Sequence, residues 1–294
     1  MRWPGTYIAV DWGTTNRRAY LIVDGACSRD HEDALGILSV APGGFPIAVA
    51  ELRAELGDLP MLLAGMVGSN RGWTEAPYVP CPAGIGDIAS QLTWAEEGRS
   101  AIVPGLSLRG SGRADVMRGE EVQLFGAIAA GLIPPDAVVC HPGTHNKWVT
   151  VSGARIVEFR TVMTGELFNL LRDRSILSDL IEGKVVPGAD FAAGVQRGFD
   201  GDGLTAELFA IRARALLGEP PTGDPASLAS GVLIGADLRC GLSGDVAAPI
   251  FVLGRPDLTC LYAAALGGVG RSAHEVDGET AFLAGMRQIA ERAQ

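Results

Sequence analysis

Residues 11–20 read DWGTTNRRAY and follow directly on an apolar run, YIAV, at residues 7–10. A strand that ends on an acid, turns on Gly-Thr-Thr-Asn and re-enters an apolar stretch at residues 19–23 reads as a hairpin. A plain hairpin needs only its turn. This one also carries a carboxylate, hydroxyl and amide side chains, and two arginines at the bend. Glycine lets a backbone approach a ligand closely, and successive N–H groups in a tight turn form a concave nest for phosphate oxygens. Gly13, Thr14, Thr15 and Asn16 are therefore candidate phosphate contacts.

The pattern occurs twice. IAVDWGTTNRRAYLIVDG (8–25) and VVCHPGTHNKWVTVSG (138–153) each run from an apolar strand through two residues to Gly-Thr, one residue, Asn and a basic residue. A second strand then ends near a glycine. Gly143 matches Gly13, Thr144 matches Thr14, Asn146 matches Asn16 and Lys147 matches Arg17, at a constant offset of 130. A lone Gly-Thr turn is most often just a turn. Two matched copies, one on each side of the Pro134-Pro135 break, point to a duplicated architecture that grips a polyphosphate from two sides.

The bulk composition agrees. The 294 residues suit two domains, placed at 1–133 and 134–294. The net charge of −10 argues against non-specific nucleic-acid binding. It also means that an anionic ligand must be met by local cations and backbone N–H groups. Five cysteines without a C-x-x-C pair indicate neither a disulfide framework nor a zinc site. No basic-then-apolar leader is read at the N-terminus, and apolar runs break well before about 20 residues, so a cytoplasmic protein without a membrane span is expected.

Strands are expected at 6–10, 19–23, from 61, 100–106, 137–140, 147–151, 154–159 and 249–254. Residues 74–86 read as loop. Helices are expected at 46–56, 115–132, 164–173, 204–217, 226–240, 257–267 and 278–292. The helix at 115–132 shows apolar residues at helical spacing behind Asp115 as an N-cap. Strand–helix alternation with hairpins defines an α/β protein.

DWGTTNRRAYL, AGMVGSNRGWTEAPYVPCPA, DVMRGEEVQLFGA, PGTHNKWV, FRTVMTGELFNLL, SGVLIGADL and VLGRPDLTCLYAAAL, in this order over nearly the whole chain, resemble the 2-dehydro-3-deoxygalactonokinase family of the actin-like sugar-kinase superfamily. The resemblance implies two duplicated actin-like (ribonuclease H-like) domains with a cleft between them. The first would bind the sugar acid and the second the adenine. It also implies ATP-dependent phosphorylation of the C6 hydroxyl of a 2-keto-3-deoxy sugar acid, feeding galactonate breakdown. Two departures stand out. His141 opens the second hairpin where superfamily members often carry Asp, so the metal is expected only at the first copy. Asn146 stands where the family tends to carry Ser.

Phosphoryl transfer is mainly positioning and charge neutralisation. Asp11 is the expected Mg²⁺ ligand, through the ion's waters, with a turn-capping Asp as the plainer alternative. Gly143, Thr144, His145 and Lys147 would form the second phosphate side, unless Lys147 is a solvated strand residue and His145 a turn cap. The base that takes the hydroxyl proton is expected to be Asp115 at a helix start, with Glu120 and Glu121 in competition. Arg18, Arg71 and Arg118 are candidates for the substrate carboxylate, because the guanidinium fork matches it. Gly68, Ser69 and Trp73 would complete that pocket. Gly254 is the best candidate beside the adenine; Gly231 and Gly235 serve helix packing equally well.

Cys140 and His141 cannot form a nucleophile–base pair, because neighbouring strand residues face opposite ways. Two other readings remain: a non-catalytic actin-like ATP-binding module, and a kinase of a neighbouring keto-deoxy or aldonic acid. The expected partners are ATP and a small sugar acid, with no nucleic acid or membrane. The oligomeric state stays open, a homodimer included. The Pro134-Pro135 break is expected to form part of a hinge for closure around the ligands.

Overall fold

The computed structural model describes residues 3–110, 112–201, 203–218, 223–243 and 249–293. The chain begins with β1 (Thr6–Trp12), β2 (Arg17–Val23), β3 (Ala26–Asp33), α1 (Phe45–Leu56) and β4 (Met61–Gly65). It continues through β5 (Val79–Pro80), α2 (Ile85–Ala89), β6 (Thr93–Glu96), β7 (Ser100–Ile102), β8 (Leu106–Gly110), β9 (Arg113–Met117) and α3 (Glu120–Ala129). Next come β10 (Ala137–His141), β11 (Asn146–Ser152), β12 (Arg155–Val162), α4 (Thr164–Arg174), α5 (Ala189–Asp200), α6 (Leu204–Leu217) and α7 (Pro225–Gly241). The last elements are β13 (Ile250–Gly254), α8 (Pro256–Gly268), β14 (Ala273–Asp277) and α9 (Gly278–Arg292).

Two compact units result. The first holds Met1–Pro135, Ser152–Glu158 and Gly278–Gln294, and the second Asp136–Val151 and Phe159–Asp277. The division at Pro135 falls by the Pro-Pro break. The last helix, by contrast, joins the first unit, because α9 packs on α3: a side chain at Gly126 would collide with the Ala281 carbonyl, and one at Gly285 with that of Val122.

The first unit is built on a six-stranded sheet in the order β3-β2-β1-β4-β7-β6. β1 runs antiparallel to β2 and parallel to β4. Alternate residues sort to its two faces. Ile8, Val10 and Trp12 pack with Phe45, Val49 and Leu52 of α1. The opposite register, Tyr7, Ala9 and Asp11, lies toward α9, where Tyr20 of β2 meets Phe282. A separate three-stranded sheet, β5-β8-β9, is added to this unit.

The second unit repeats the scheme with a five-stranded sheet, β12-β11-β10-β13-β14. Cys140, Trp148, Ile250 and Val252 pack against Phe191 and Val195 of α5, Ile234 and Leu238 of α7, and Leu261 and Tyr262 of α8. Gly231 and Gly235 let α7 press on α5, since side chains there would collide with the carbonyls of Phe191 and Val195. They are packing residues in this structure, which leaves Gly254 as the adenine candidate.

The helix expected over 115–132 is corrected. Arg113–Met117 is a strand paired with β8, and the helix starts only at Glu120. Gly119, with φ at 107°, ends the strand and cannot continue a helix. Val116, one of the apolar residues whose spacing suggested that helix, is exposed on β9. Helices α2 and α5 and strands β3, β5, β6, β8, β9 and β14 were not expected, and the stretch 74–86, read as loop, holds β5 and the first residues of α2. Among the described residues no helix is long and apolar enough to cross a membrane.

Candidate active site

The first turn is fixed from behind. Gly13 N–H donates to the Asn16 carbonyl at 2.9 Å. The carbonyls of Gly13, Thr14 and Thr15 accept from Ile37, Leu38 and Gly36 at 3.0–3.2 Å. That contact requires Gly36, because a Cβ there would collide with the Thr14 carbonyl. With its carbonyls committed backwards, the turn presents Thr14, Thr15 and Asn16, all exposed, to solvent. This polarity is what a phosphate nest needs.

Asp11 sits directly across the ladder from Arg18 and beside Ala64 of β4. It is half-buried, and desolvation pushes its carboxyl up to about 6, with Arg18 opposing the shift and Glu120 adding to it. Arg18 also pairs with Glu32 at 3.0 Å. Two glycines bring the start of α3 close. A Cβ at Gly65 would lie 2.8 Å from the Trp12 carbonyl and 3.4 Å from Asp11 Oδ1, and one at Gly119 would lie 3.2 Å from Gly65 Cα. Both have positive φ, 90° and 107°, so the close approach and the backbone conformation each call for glycine.

Two carboxylates then open α3. Glu120 Oε2 accepts from Arg118 N–H at 3.0 Å, and both Glu121 oxygens accept from Gly119 N–H at 2.7–2.9 Å. Glu121 is fully buried, and desolvation pushes its carboxyl up to about 8, with Glu120 adding to the rise. Glu120 is half-buried and faces the same carboxylate neighbourhood. The structure thus gathers Asp11, Arg18, Glu120 and Glu121 at one end of the first sheet. Asp115 is not at a helix start; it lies on β9 opposite Leu108 and accepts from Val116 N–H at 2.8 Å.

Arg118 is buried. Its guanidinium donates to the Ala76 carbonyl at 2.7 Å and stacks 4.3 Å from the Tyr78 ring, leaving Nε and Nη1 without acceptors. A Cβ at Gly68 would come within 2.8 Å of Nη1. Ser69, Arg71 and Trp73 share one loop. Ser69 is buried and Arg71 exposed, and a hollow of about 420 Å³ lies between Val40–Pro46 and Asn70–Trp73.

The second turn is held differently. Gly143 is half-buried, Thr144 and His145 are exposed, and His145 pairs with Glu166. The Thr144 carbonyl accepts from Glu166 N–H at 2.9 Å, and a Cβ at Gly165 would lie 2.5 Å from the Gly143 carbonyl. The start of α4 is therefore the backing of this turn. Lys147 is buried, not solvated, and its Nζ donates to the His145 carbonyl at 3.3 Å. Asn146 is buried too and turns inward. Gly254, with φ at 156°, ends β13 beside Pro142, whose carbonyl and ring a Cβ there would touch at 3.6–3.8 Å.

Asn146 leads to a residue the sequence reading missed. Asp237, in the C-terminal part of α7, is buried and accepts four hydrogen bonds: Asn146 Nδ2 at 2.9 Å, Trp148 Nε1 at 2.7 Å, Thr164 Oγ1 at 2.5 Å and Tyr262 Oη at 2.6 Å. One carboxylate so ties β11, α4, α7 and α8 under the second turn. Burial pushes its carboxyl up, and the four donors hold it back. An acid amid the small and apolar residues of SGVLIGADL was the available signal.

Two sheets of like topology, each opening with a glycine turn, define an actin-like fold of the ATPase and sugar-kinase class. The activator of 2-hydroxyisocaproyl-CoA dehydratase from Clostridium difficile, solved with ADPNP, shares the fold with a TM-score of 0.54 at 10% identity over 98% of this chain and 95% of that one. The family model for 2-keto-3-deoxy-galactonokinase matches residues 11–289. The 2-dehydro-3-deoxygalactonokinase of Escherichia coli (strain K12) is 38% identical over 289 residues, 97% of each chain. A solved structure from Sinorhizobium meliloti, given the same assignment, superposes with a TM-score of 0.90 at 35% identity, over 97% of this chain and 98% of that one. The chain belongs to the 2-keto-3-deoxy-galactonokinase family, and so to the sugar-acid kinases.

Proposed function

We propose that this chain transfers the γ-phosphoryl group of ATP to the C6 hydroxyl of 2-dehydro-3-deoxy-D-galactonate, in the cytoplasm, as a step of galactonate breakdown. The observation that carries the site assignment is the convergence of Asp11, the Gly13–Asn16 turn and the Glu120 start of α3 through the Gly65–Gly119 contact. On this reading one end of one sheet would supply a phosphate nest, a carboxylate for a cation and a carboxylate for a proton.

Asp11 fits a Mg²⁺ ion. Among the described residues no group of three or more His, Cys, Asp or Glu side chains forms a full metal cage. Mg²⁺ suits that arrangement, because it keeps several waters and takes one or two carboxylates plus substrate phosphates. When bound, it would neutralise charge on the phosphate oxygens. Thr14, Thr15 and Asn16, with Gly13, would contact the phosphates from the first turn. Gly143, Thr144, His145 and Lys147 would contact them from the second, and Gly254 would lie by the adenine.

Of the expected bases, Glu120 is the better placed, since it stands at the helix start near Asp11 and Asp115 does not. It would take the C6 hydroxyl proton as the oxygen attacks phosphorus. The substrate carboxylate would be met by cations of the first unit. Arg118 is held rigidly against Gly68, with Arg71, Ser69 and Trp73 on the neighbouring loop and Arg18 beside Asp11. Asp237 would act as a positioning residue for the second turn.

An ATP-coupled assay over 2-keto-3-deoxy acids and plain aldonic acids tests this reading. Turnover should be greatest with 2-dehydro-3-deoxy-D-galactonate. Glu120→Gln should lower kcat by about 10²–10⁴-fold, and Asp115→Asn far less. A large loss in Asp115→Asn alone returns the base to Asp115.

A further inference from the structure

The segment behind the first turn has few anchors of its own. Gly36, Ile37 and Leu38 donate their N–H groups to the carbonyls of Thr15, Gly13 and Thr14 at 3.0–3.2 Å. Within 34–39 the Ile37 side chain is buried, whereas those of Leu35 and Leu38 are exposed. Buried apolar area therefore does little to hold the segment against the turn. Its position is set by polar contacts, and these run back to one carboxylate.

Asp33 closes β3, directly across the ladder from Arg17 of β2. Its Oδ1 accepts from Leu35 N–H at 2.9 Å and so fixes the chain as it leaves the strand. Arg17 grips both carboxylate oxygens, with Nη2 at 2.5 Å from Oδ2 and Nε at 3.3 Å from Oδ1. This two-pronged pairing sets direction as well as distance. Arg17 is itself locked: its side chain is 2% exposed, its Nη1 donates to the Ala48 carbonyl of α1 at 3.2 Å, and its guanidinium lies 4.9 Å from the centre of the Trp12 ring. The Trp12 indole N–H donates in turn to the Leu35 carbonyl at 2.9 Å. Leu35 is thus held through both its N–H and its carbonyl, one residue before the Gly36 that meets Thr15. His31 braces the same carboxylate, with Nε2 at 2.9 Å from Asp33 Oδ2 and Nδ1 at 2.8 Å from Glu55 Oε1 of α1. Burial alone would raise the Asp33 carboxyl, but the bonds from Arg17, His31 and Leu35 N–H hold it below its ordinary value.

We propose that Asp33 is the positioning residue of the first turn, acting on bound nucleotide through Leu35 and Gly36. The inference rests on the reading of that turn as a phosphate contact. Donors aimed at a ligand give affinity when they need not be ordered on binding. The Asp33 clamp supplies that order in advance: Arg17 ties the carboxylate to β2 and α1, the carboxylate ties Leu35, and the next three N–H groups tie the turn. Asp237 would do the same behind the second turn, so each turn answers to one carboxylate that lies outside it.

The test combines amide hydrogen exchange with ADP binding measured without Mg²⁺, on the full-length protein and below the melting temperature of each variant. Asp33→Ala removes every contact of the carboxylate, and Asp33→Asn keeps an acceptor for Leu35 N–H but loses the charge. Exchange at Gly36, Ile37 and Leu38 should quicken about tenfold or more in Asp33→Ala, with Asp33→Asn between it and wild type, while the amides of β4 keep their rates. ADP affinity should fall in the same order, by about tenfold for Asp33→Ala, the scale of one lost hydrogen bond to phosphate. KM for ATP should rise with it and kcat should move less, whereas a merely structural loss lowers the amount of active enzyme and leaves KM alone. Thr14→Ala/Thr15→Ala, which strips the turn's own hydroxyls, separates this inference from the reading beneath it. If exchange at 36–38 is unchanged in folded Asp33→Ala, or if ADP binding weakens in Thr14→Ala/Thr15→Ala but not in Asp33→Ala, the positioning role is overturned and the phosphate turn stands. If ADP affinity is unchanged in both variants, the phosphate turn falls and this inference falls with it.

Discussion

The two glycine turns are alike in sequence and unlike in construction. On the first, Trp12 pairs with Arg17 and Asp11 with Arg18. On the second, His141 pairs with Lys147 and Cys140 with Trp148. The sequence repeat aligns Lys147 with Arg17, but the ladder is shifted by one residue, so Lys147 stands across from the residue that replaces Asp11. Arg17 points into the α1 face, where it pairs with Asp33 at 2.5 Å and covers Trp12. Lys147 takes the other disposition. One turn thus ends its strand with a carboxylate and the other with a histidine facing a lysine. On the proposed reading, one register step and one side-chain exchange would separate a half that takes a cation from a half that does not.

The sharpest way to break that comparison is Asp11→Asn. If the first turn alone serves the metal, kcat should fall by about 10²–10³-fold, the scale of losing one preorganised electrostatic contact. Nucleotide affinity measured without Mg²⁺ should stay within about twofold. A matching loss of metal-free affinity would mean that Asp11 shapes the turn itself, and the contrast with His141 would disappear.

Next in size is Asp237→Asn. The amide keeps the volume but turns one acceptor into a donor, so some of Asn146, Trp148, Thr164 and Tyr262 lose their partner. Stability should drop by about 3 kcal/mol. The turn would loosen with it, raising KM for ATP about tenfold while kcat moves less. Thermal melts and steady-state kinetics separate the two effects. If KM for ATP stays put in a folded Asp237→Asn, the carboxylate is a core tie only.

A matched pair of small substitutions sharpens the contrast further. Gly36→Ala would press a methyl group into the Thr14 carbonyl behind the first turn, and Gly165→Ala into the Gly143 carbonyl behind the second. Such overpacking costs about 1–3 kcal/mol. Each should raise KM for ATP about threefold to tenfold. Only Gly36→Ala should also shift the Mg²⁺ dependence of the rate, because only the first turn adjoins Asp11. Identical Mg²⁺ titrations for both variants would count against a metal confined to one turn.

Much of this was legible in the chain. The hairpins and their doubling followed from Gly-Thr turns set between apolar runs. Helices such as 204–217 and 278–292 followed from composition and flanking glycines. What misled was local resemblance. Asp115 ahead of helically spaced apolar residues imitates an N-cap, and the positive φ of Gly119 that separates strand from helix leaves no mark beyond the glycine itself. What stayed hidden depends on distant partners. The one-residue register step exists only in the pairing, and the burial of Lys147 and the Asp237 knot arise from elements up to 91 positions apart.

The smallest effect on turnover comes from the other buried carboxylate. Asp237 has four side-chain donors, whereas Glu121 rests on peptide N–H groups at the start of its helix, that of Gly119 foremost. With its carboxyl pushed up to about 8, Glu121 is mostly protonated at neutral pH, and Glu121→Gln replaces it by a neutral group of the same shape. Activity at pH 7 should change by no more than about twofold. Stability should separate the two proteins as pH rises. Below about 4.5 the carboxyl is protonated folded and unfolded, and it contributes no pH dependence. Between about 4.5 and 8 the unfolded chain releases a proton that the folded chain keeps, so wild-type stability falls with rising pH and levels off above about 8. The glutamine variant lacks that fall. It should match wild type near pH 4.5 and exceed it by on the order of a few kcal/mol at pH 9 in denaturant titrations. A difference that does not vary with pH would mean that Glu121 is ionised throughout, and that peptide N–H groups alone hold a buried charge as well as the four side-chain donors around Asp237 do.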